Sequence, residues 1–366
     1  MKKLIFLFSV FIFFWGSSQE YVKDRFSGYA TVKSEYFKNA KDLTVYLPKG
    51  YSKNGDTDYT TYIQKGLTEN STLMMPDFPV LINENGLALK SGQKILFQKN
   101  SKLIMKPNAK DRNGMLNLFN IQNVDIYYAN ITGDKHKHLS TTGEWGMGIY
   151  ILSSSNINII GSYIESSWGD GICIGSRNNI NSSDINIKNT ILKDNRRNGL
   201  TIGGVINMLV ENAYIANTSG TNPQAGIDIE PDSNSYEVKN VKLNNIETEN
   251  NGNYGIIISP GNMVGKKQKA ISVAINNFKD NGSKIGLAMA MTRDKPNAGF
   301  PELNGNISVS NFSSQNNSTA KFRSFKGAPH QVSVNMDFGK LGTTVSKSKS
   351  SYDQKLKNND ETITLK

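Results

Sequence analysis

Cysteine is nearly absent. Cys173 is the one thiol in 366 residues, so the chain can form no internal disulfide. Its plainest reading is a half-buried strand residue. Long apolar runs are scarce too. Leu4 to Trp15 is the one such stretch, and it is too short to span a membrane comfortably. Hydrophobic residues make up 37% of the chain and mean hydropathy is -0.44. A rounded globule of this length normally carries more, whereas a thin, elongated solenoid core manages with less. Acidic residues are outnumbered 31 to 42 by Lys and Arg, giving a net charge of +11. That balance favours an anionic partner. The lysines are scattered and no nucleic-acid-binding motif is visible, so the expected partner is an acidic polysaccharide, with no nucleic acid.

Lys2 and Lys3, the apolar run after them and Gly16-Ser17-Ser18 predict a signal peptide over residues 1–18, cut after Ser18. No cysteine lies near that site for a lipid anchor. The expectation is a secreted or periplasmic protein, with no membrane contact once the leader is removed. Residues 19–57 read as an N-terminal arm or cap, 58–342 as the main domain, and 343–366 as a Lys-, Ser- and Asn-rich tail prone to disorder.

The main domain is a repeat. GIYIL from Gly148, GICIG from Gly171, GLTIG from Gly199, GIDIE from Gly226, GIIIS from Gly255 and GLAMA from Gly286 recur every 23 to 31 residues. Each places aliphatic residues at its second and fourth positions, the period of a strand with one buried face. Two further strands follow in each unit, for example NINII then SYIESS, or DINIK then NTILKD. Asn, Gly, Ser and Asp punctuate the corners. No unit can bury its apolar side alone, so the units must stack into parallel sheets around one continuous aliphatic column. The fold class is therefore all-β, a right-handed parallel β-helix. Asp58 to Leu67 predicts an N-terminal capping helix, with Asp58 as its N-cap.

The helix-then-coils order and the strings GDKHKHLSTTGEWGMGIYI, WGDGICIG, NRRNGLTI and NPQAGIDIEPD resemble the pectate-lyase-like superfamily of right-handed β-helices. Within it they resemble bacterial and phage proteins that act on polysaccharides. The resemblance covers roughly residues 58–334. It implies a glycan-handling groove, and the superfamily holds both hydrolases and lyases. Departures are visible. The paired Asp-Asp of polygalacturonases is a single Asp170 here, and their Gly-His-Gly and Arg-Ile-Lys motifs are missing, as is the Asp-Pro-His of mannuronan epimerases.

Strand alternation singles out candidate residues. With Ile227 and Ile229 inward, Asp228 and Glu230 point outward together, their Cα atoms roughly 6.5–7 Å apart. Such a carboxylate pair suits either stereochemical course of glycoside hydrolysis. Register stacks Asp228 on Thr201 and Cys173, and Glu230 on Gly203 and Gly175, leaving open floor beside the acid. Asp170 and Asn198 share the position before the glycine in neighbouring coils. Asp228, Glu230 and Asp170 are thus the candidate catalytic residues. Arg196 and Arg197, at a bend close by, are candidates to bind a substrate carboxylate or sulfate. The excursion from Thr132 to Met147 offers Glu144 and Trp145 as further binding candidates, with Trp168 and Asn198 beside them. His136 and His138 read as solvated loop residues, since nothing near them supplies a third metal ligand.

Three functions fit these residues. A glycoside hydrolase would use one of Asp228 and Glu230 as acid and the other to activate water, with no cofactor. A lyase would hold Ca2+ with Asp228, Glu230 and Asp170 and use Arg or Lys as base. A glycan-binding protein would use the same groove without cleavage. A monomer and a homotrimer are both compatible with the sequence.

Overall fold

The six GIxI strings form strands stacked in parallel register. Ile149 pairs with Ile172, Ile172 with Leu200, Leu200 with Ile227, Ile227 with Ile256, and Ile256 with Leu287. All six are buried in one core cluster. Each contributes roughly 1.5–3 kcal/mol by leaving water, before entropy is charged against it. The computed structural model describes residues 24–291, 299–326, 335–338 and 363–365. They build a right-handed-type parallel β-solenoid of about 9 turns.

The GIxI strands belong to a nine-stranded sheet; a 16-stranded sheet wraps the rest of each turn. The sequence predicts three separate strands per turn. From Ser182 onward, the second and third are instead joined into strands such as Ser182–Lys193, Val205–Ala216 and Val238–Glu249. An asparagine with positive φ bends each joined strand at its middle: Asn189, Asn212, Asn245, Asn277 and Asn311. Asparagine tolerates this conformation better than other side chains with a Cβ. The bends stack, and each amide donates to the one before it, Asn212 to Asn189 at 3.0 Å and Asn245 to Asn212 at 3.0 Å.

The recurring glycine follows from close approach of the turns. A Cβ on Gly199 would lie 2.2 Å from Ile215 Cγ2 and 2.7 Å from the carbonyl of Gly226, and one on Gly226 would lie 2.6 Å from the carbonyl of Gly255. The inner column is not aliphatic throughout, as the sequence suggests. In the third strand position it runs Ile164, Leu192, Ile215, then Thr248, Asp280 and Ser314. The polar members satisfy one another: Thr248 Oγ1 and Ser314 Oγ donate to Asp280 at 2.7 and 3.0 Å.

A helix runs from Thr60 to Glu69 with Ile63 and Leu67 buried. Its N-cap position is Tyr59, not Asp58. The Asp58 carboxylate sits one residue earlier, where it accepts from Thr60 N at 3.0 Å and Thr60 Oγ1 at 2.6 Å. Within the arm, Lys41–Asp42 pairs with Thr72–Met74 as the first strand of the larger sheet. Residues 1–18, expected to be a leader, lie outside the described residues, as does the 343–366 segment except for Ile363–Leu365, which pairs with Asn335–Phe338.

Candidate active-site cleft

The outer face of the nine-stranded sheet carries two adjacent columns. Tyr150, Cys173, Thr201 and Asp228 form one in register. Leu152 and Gly175 begin the other, which Gly203 and Glu230 continue, the Glu230 N–H donating to Ile202 O at 3.1 Å. The two glycines lower the floor beside Glu230. They lie in a cleft of about 390 Å³ that Glu230, Asp232 and Arg197 also line. Tyr236 walls one side, its hydroxyl donating to Ser176 O at 3.0 Å. Trp145 stands opposite the acidic end, with the Arg112 guanidinium 4.7 Å from its ring centre.

A hydrogen-bonded layer lies under this floor. Asp170 is fully buried, accepting from Arg197 Nη1 at 3.0 Å and from the Asn198 N–H at 3.1 Å. The Asn198 amide donates to Thr201 Oγ1 at 2.9 Å and to Asp228 Oδ2 at 3.1 Å, while its oxygen accepts from Ala225 N at 3.1 Å. Asp228 does leave the aliphatic interior, but it is not open to solvent as the alternation predicts: it is 1% exposed. The covering layer of Asn198 and its neighbours is what sequence alternation cannot see.

Electrostatics separate these acids. Burial, reinforced by the charge of Glu230, raises the Asp228 carboxyl well above its ordinary range. Burial also raises Asp170, against the pull of Arg197, and raises Asp232 against Arg197 and Arg112. Burial pulls the Arg197 guanidinium down, but Asp170 and Asp228 outweigh it and hold the proton more firmly. The Cys173 thiol is pushed well up by burial, which suppresses thiolate chemistry.

Of the residues named from sequence, Glu230, Arg197 and Trp145 line the cleft, with Asp228, Asp170 and Asn198 in the layer below. The other three do not line it. Trp168 is buried between His138, stacked at 3.9 Å, and the Arg196 guanidinium at 3.8 Å. Arg196 itself donates to Gly143 O at 2.8 Å, so it ties down the excursion loop. Glu144 is half-buried in that loop and acts electrostatically on Arg196. His138 is not solvated: its side chain is 1% exposed and Nδ1 meets Asp134 Oδ2 at 2.8 Å.

Sequence reasoning missed Arg112, Tyr150, Arg177, Asp232 and Tyr236, which all line the cleft. Asp232 was findable, because it extends the alternation of Asp228 and Glu230 by one step. Tyr150 was findable too, because it holds in GIYIL the place Asp228 holds in GIDIE; Arg177 and Tyr236 lie between strands, where no local pattern sets direction. A Ca2+ site does not fit the acids predicted for it. Both Asp170 oxygens face Arg197, and no group of three or more His, Cys, Asp or Glu suited to a metal occurs among the described residues.

No family model matches the chain. The SPbeta prophage-derived uncharacterized protein YorA of Bacillus subtilis (strain 168) is 29% identical over 162 residues, 40% of this chain and 28% of that protein. The chain thus matches less than a third of that relative's length. Among solved structures, a polygalacturonase from Erwinia carotovora ssp. carotovora superposes with a TM-score of 0.59 at 14% identity, covering 80% of this chain and 87% of that one. A tailspike protein, gp49 of Acinetobacter baumannii bacteriophage Fri1, a capsular polysaccharide depolymerase, gives 0.53 at 14% identity, covering 83% and 58%. At such identities the likeness speaks to architecture, and the architecture this chain shares with them is the parallel β-helix.

Proposed function

We propose that the cleft hydrolyses a glycosidic bond of an anionic polysaccharide. The observation that carries this reading is Glu230, a cleft-lining carboxyl set against the buried, proton-retaining Asp228. Burial and the neighbouring Glu230 charge keep a proton on Asp228. Glu230 passes it to the leaving glycosidic oxygen as the C–O bond breaks. Asp232 takes a proton from the water that attacks the sugar carbon. Asp232 then releases that proton to solvent, and a solvent proton restores the Asp228–Glu230 pair through Glu230. Asp228 is a positioning residue in this scheme, because it does not reach the cleft. Asn198 holds it, and Asp170 fixes Arg197 at the edge of the floor.

The parallel β-helices of a polygalacturonase and a capsular polysaccharide depolymerase support a glycan role, as does the net charge of +11. The basic and apolar leader supports export to the periplasm or beyond. The Thr60–Glu69 helix, with Ile63 and Leu67 buried, is proposed to shield the first turn from edge pairing.

The test is product chemistry on pectate, alginate, carrageenan and bacterial exopolysaccharides. New reducing ends without the ultraviolet absorbance of an unsaturated uronide support hydrolysis. That absorbance would replace hydrolysis by elimination. Retention of a glycan without products would leave a binding protein.

A further inference from the structure

Two cations in the cleft are in no close ion pair among the described residues, and Arg112 acts on Asp232 only from beyond ion-pair distance. Arg112 and Arg177 are both exposed, and neither forms an ion pair there. Both lie over rings: Arg112 over Trp145 at 4.7 Å and Arg177 over Phe119 at 5.9 Å. Stacking on a ring face orients a guanidinium without using its in-plane donors.

Their backbones are fixed as well. Arg112 pairs with Trp145 across the sheet, and the Trp145 N–H donates to Asp111 O at 3.1 Å. The Arg177 N–H donates to Ser153 Oγ at 2.7 Å, and that hydroxyl donates back to Arg177 O at 2.9 Å. Arg112 and Phe119 are the two ends of one strand, Arg112–Phe119. The guanidiniums therefore stand on opposite walls of the groove. That strand lies four turns before the strand that leads into Glu230, on the order of 19 Å along the axis. Arg112 and Arg177 line the same cleft as Glu230, Asp232 and Arg197.

We propose that Arg112 and Arg177 form an oxyanion-reading subsite for a glycan charged on neighbouring sugars, one carboxylate or sulfate meeting each wall. This deepens the cleavage reading, since it rests on the same groove holding a polysaccharide. Trp145 and Phe119 supply apolar faces for the sugar rings between the two charges. A neutral glycan would offer neither guanidinium an ion pair and gain only the stacking.

The probes are oligogalacturonate, a sulfated carrageenan oligosaccharide and neutral maltoheptaose, titrated by calorimetry against the full chain carrying Glu230→Gln. The charged probes are expected to bind and to weaken with added salt. Arg112→Gln or Arg177→Gln should each weaken them about 10- to 100-fold. Arg→Lys at either position should recover part of the loss, because charge returns without the planar fork. Comparing the carboxylated and sulfated probes identifies which oxyanion is read. Unchanged thermal unfolding of the variants keeps the comparison fair. Equal binding of maltoheptaose, no binding of either charged probe, or undiminished binding in the double Gln variant overturns the subsite. Arginine-dependent binding without products from the unmodified protein would remove the cleavage reading and leave this one. Cleavage of a neutral glycan, indifferent to both arginines, would do the reverse.

Discussion

Two glycine-to-alanine substitutions, four residues apart, should behave differently. At Gly199 the new methyl would stand 2.2 Å from Ile215 Cγ2 and 2.7 Å from the carbonyl of the next turn. A backbone carbonyl in a stacked sheet cannot retreat without moving its whole turn. Overpacking of this kind typically costs 1–3 kcal/mol, and Gly199→Ala should fall in the upper part of that range. At Gly203 the nearest atoms are Ile174 O at 3.3 Å, Gly175 Cα at 3.6 Å and Tyr236 Cε2 at 3.7 Å. A shift of a few tenths of an ångström accommodates a methyl there, so Gly203→Ala should stay within about 0.5 kcal/mol of the parent. Urea unfolding followed by circular dichroism measures both, with the slope checked for constancy because stacked repeats can depart from two-state behaviour. Gly203→Leu extends the test to function: it should fold, fill the floor beside Glu230 and abolish glycan binding. Equal unfolding midpoints for the two alanine variants would refute the turn-to-turn contacts on which the strand register rests.

Three other outcomes are expected of the same fold. Glu230→Gln should cut hydrolysis by about 10²–10⁴-fold, the usual worth of a general acid, while calorimetry still registers glycan binding; a variant as active as the parent would remove Glu230 from the chemistry. Because the Asp228 carboxyl is raised in the folded state, its stabilising contribution is complete below its ordinary pKa near 4 and fades as pH climbs through the folded value. Asp228→Asn has no such loss, so its stability relative to the parent should improve between pH 4 and pH 8, and a constant difference would show that no proton is retained there. Asn212→Ala should lose about 2–4 kcal/mol, from two amide hydrogen bonds and a positive φ of 55°. Asn212→Gly should lose less in the same urea assay, since it keeps only the hydrogen-bond part, and the opposite order would rule out the bend as the source.

The architecture was legible because its cause is local and repeated. Ile172 and Ile174, or Ile227 and Ile229, declare an inward face in five residues, and only stacking can bury such a face. The stacking of Asp228 on Thr201 and Cys173 followed from counting out from the glycines. The site was legible only in part. Alternation says which way Asp228 leaves the strand, but not that Asn198 from the preceding turn will cover it. Arg177 and Tyr236 reach the cleft from corners, where one extra residue re-aims a side chain. Trp168 and Arg196 looked like ligand contacts because aromatic and cationic side chains often are; here they pair with each other beneath a loop. The joining of the second and third strands was hidden because asparagine signals a corner equally well at a sharp turn and at a shallow bend.

Asn198 gives the molecule a mechanical property. Its backbone N–H is bound to Asp170 in the turn before, and both ends of its amide are bound to Asp228 and Ala225 in the turn after. It acts as a rivet through three successive windings of a spring. Tension along the solenoid, as when a tethered polymer is pulled, must load that rivet before those three windings can separate. The spacing of Asp170 and Asp228 is therefore as stiff as the solenoid itself.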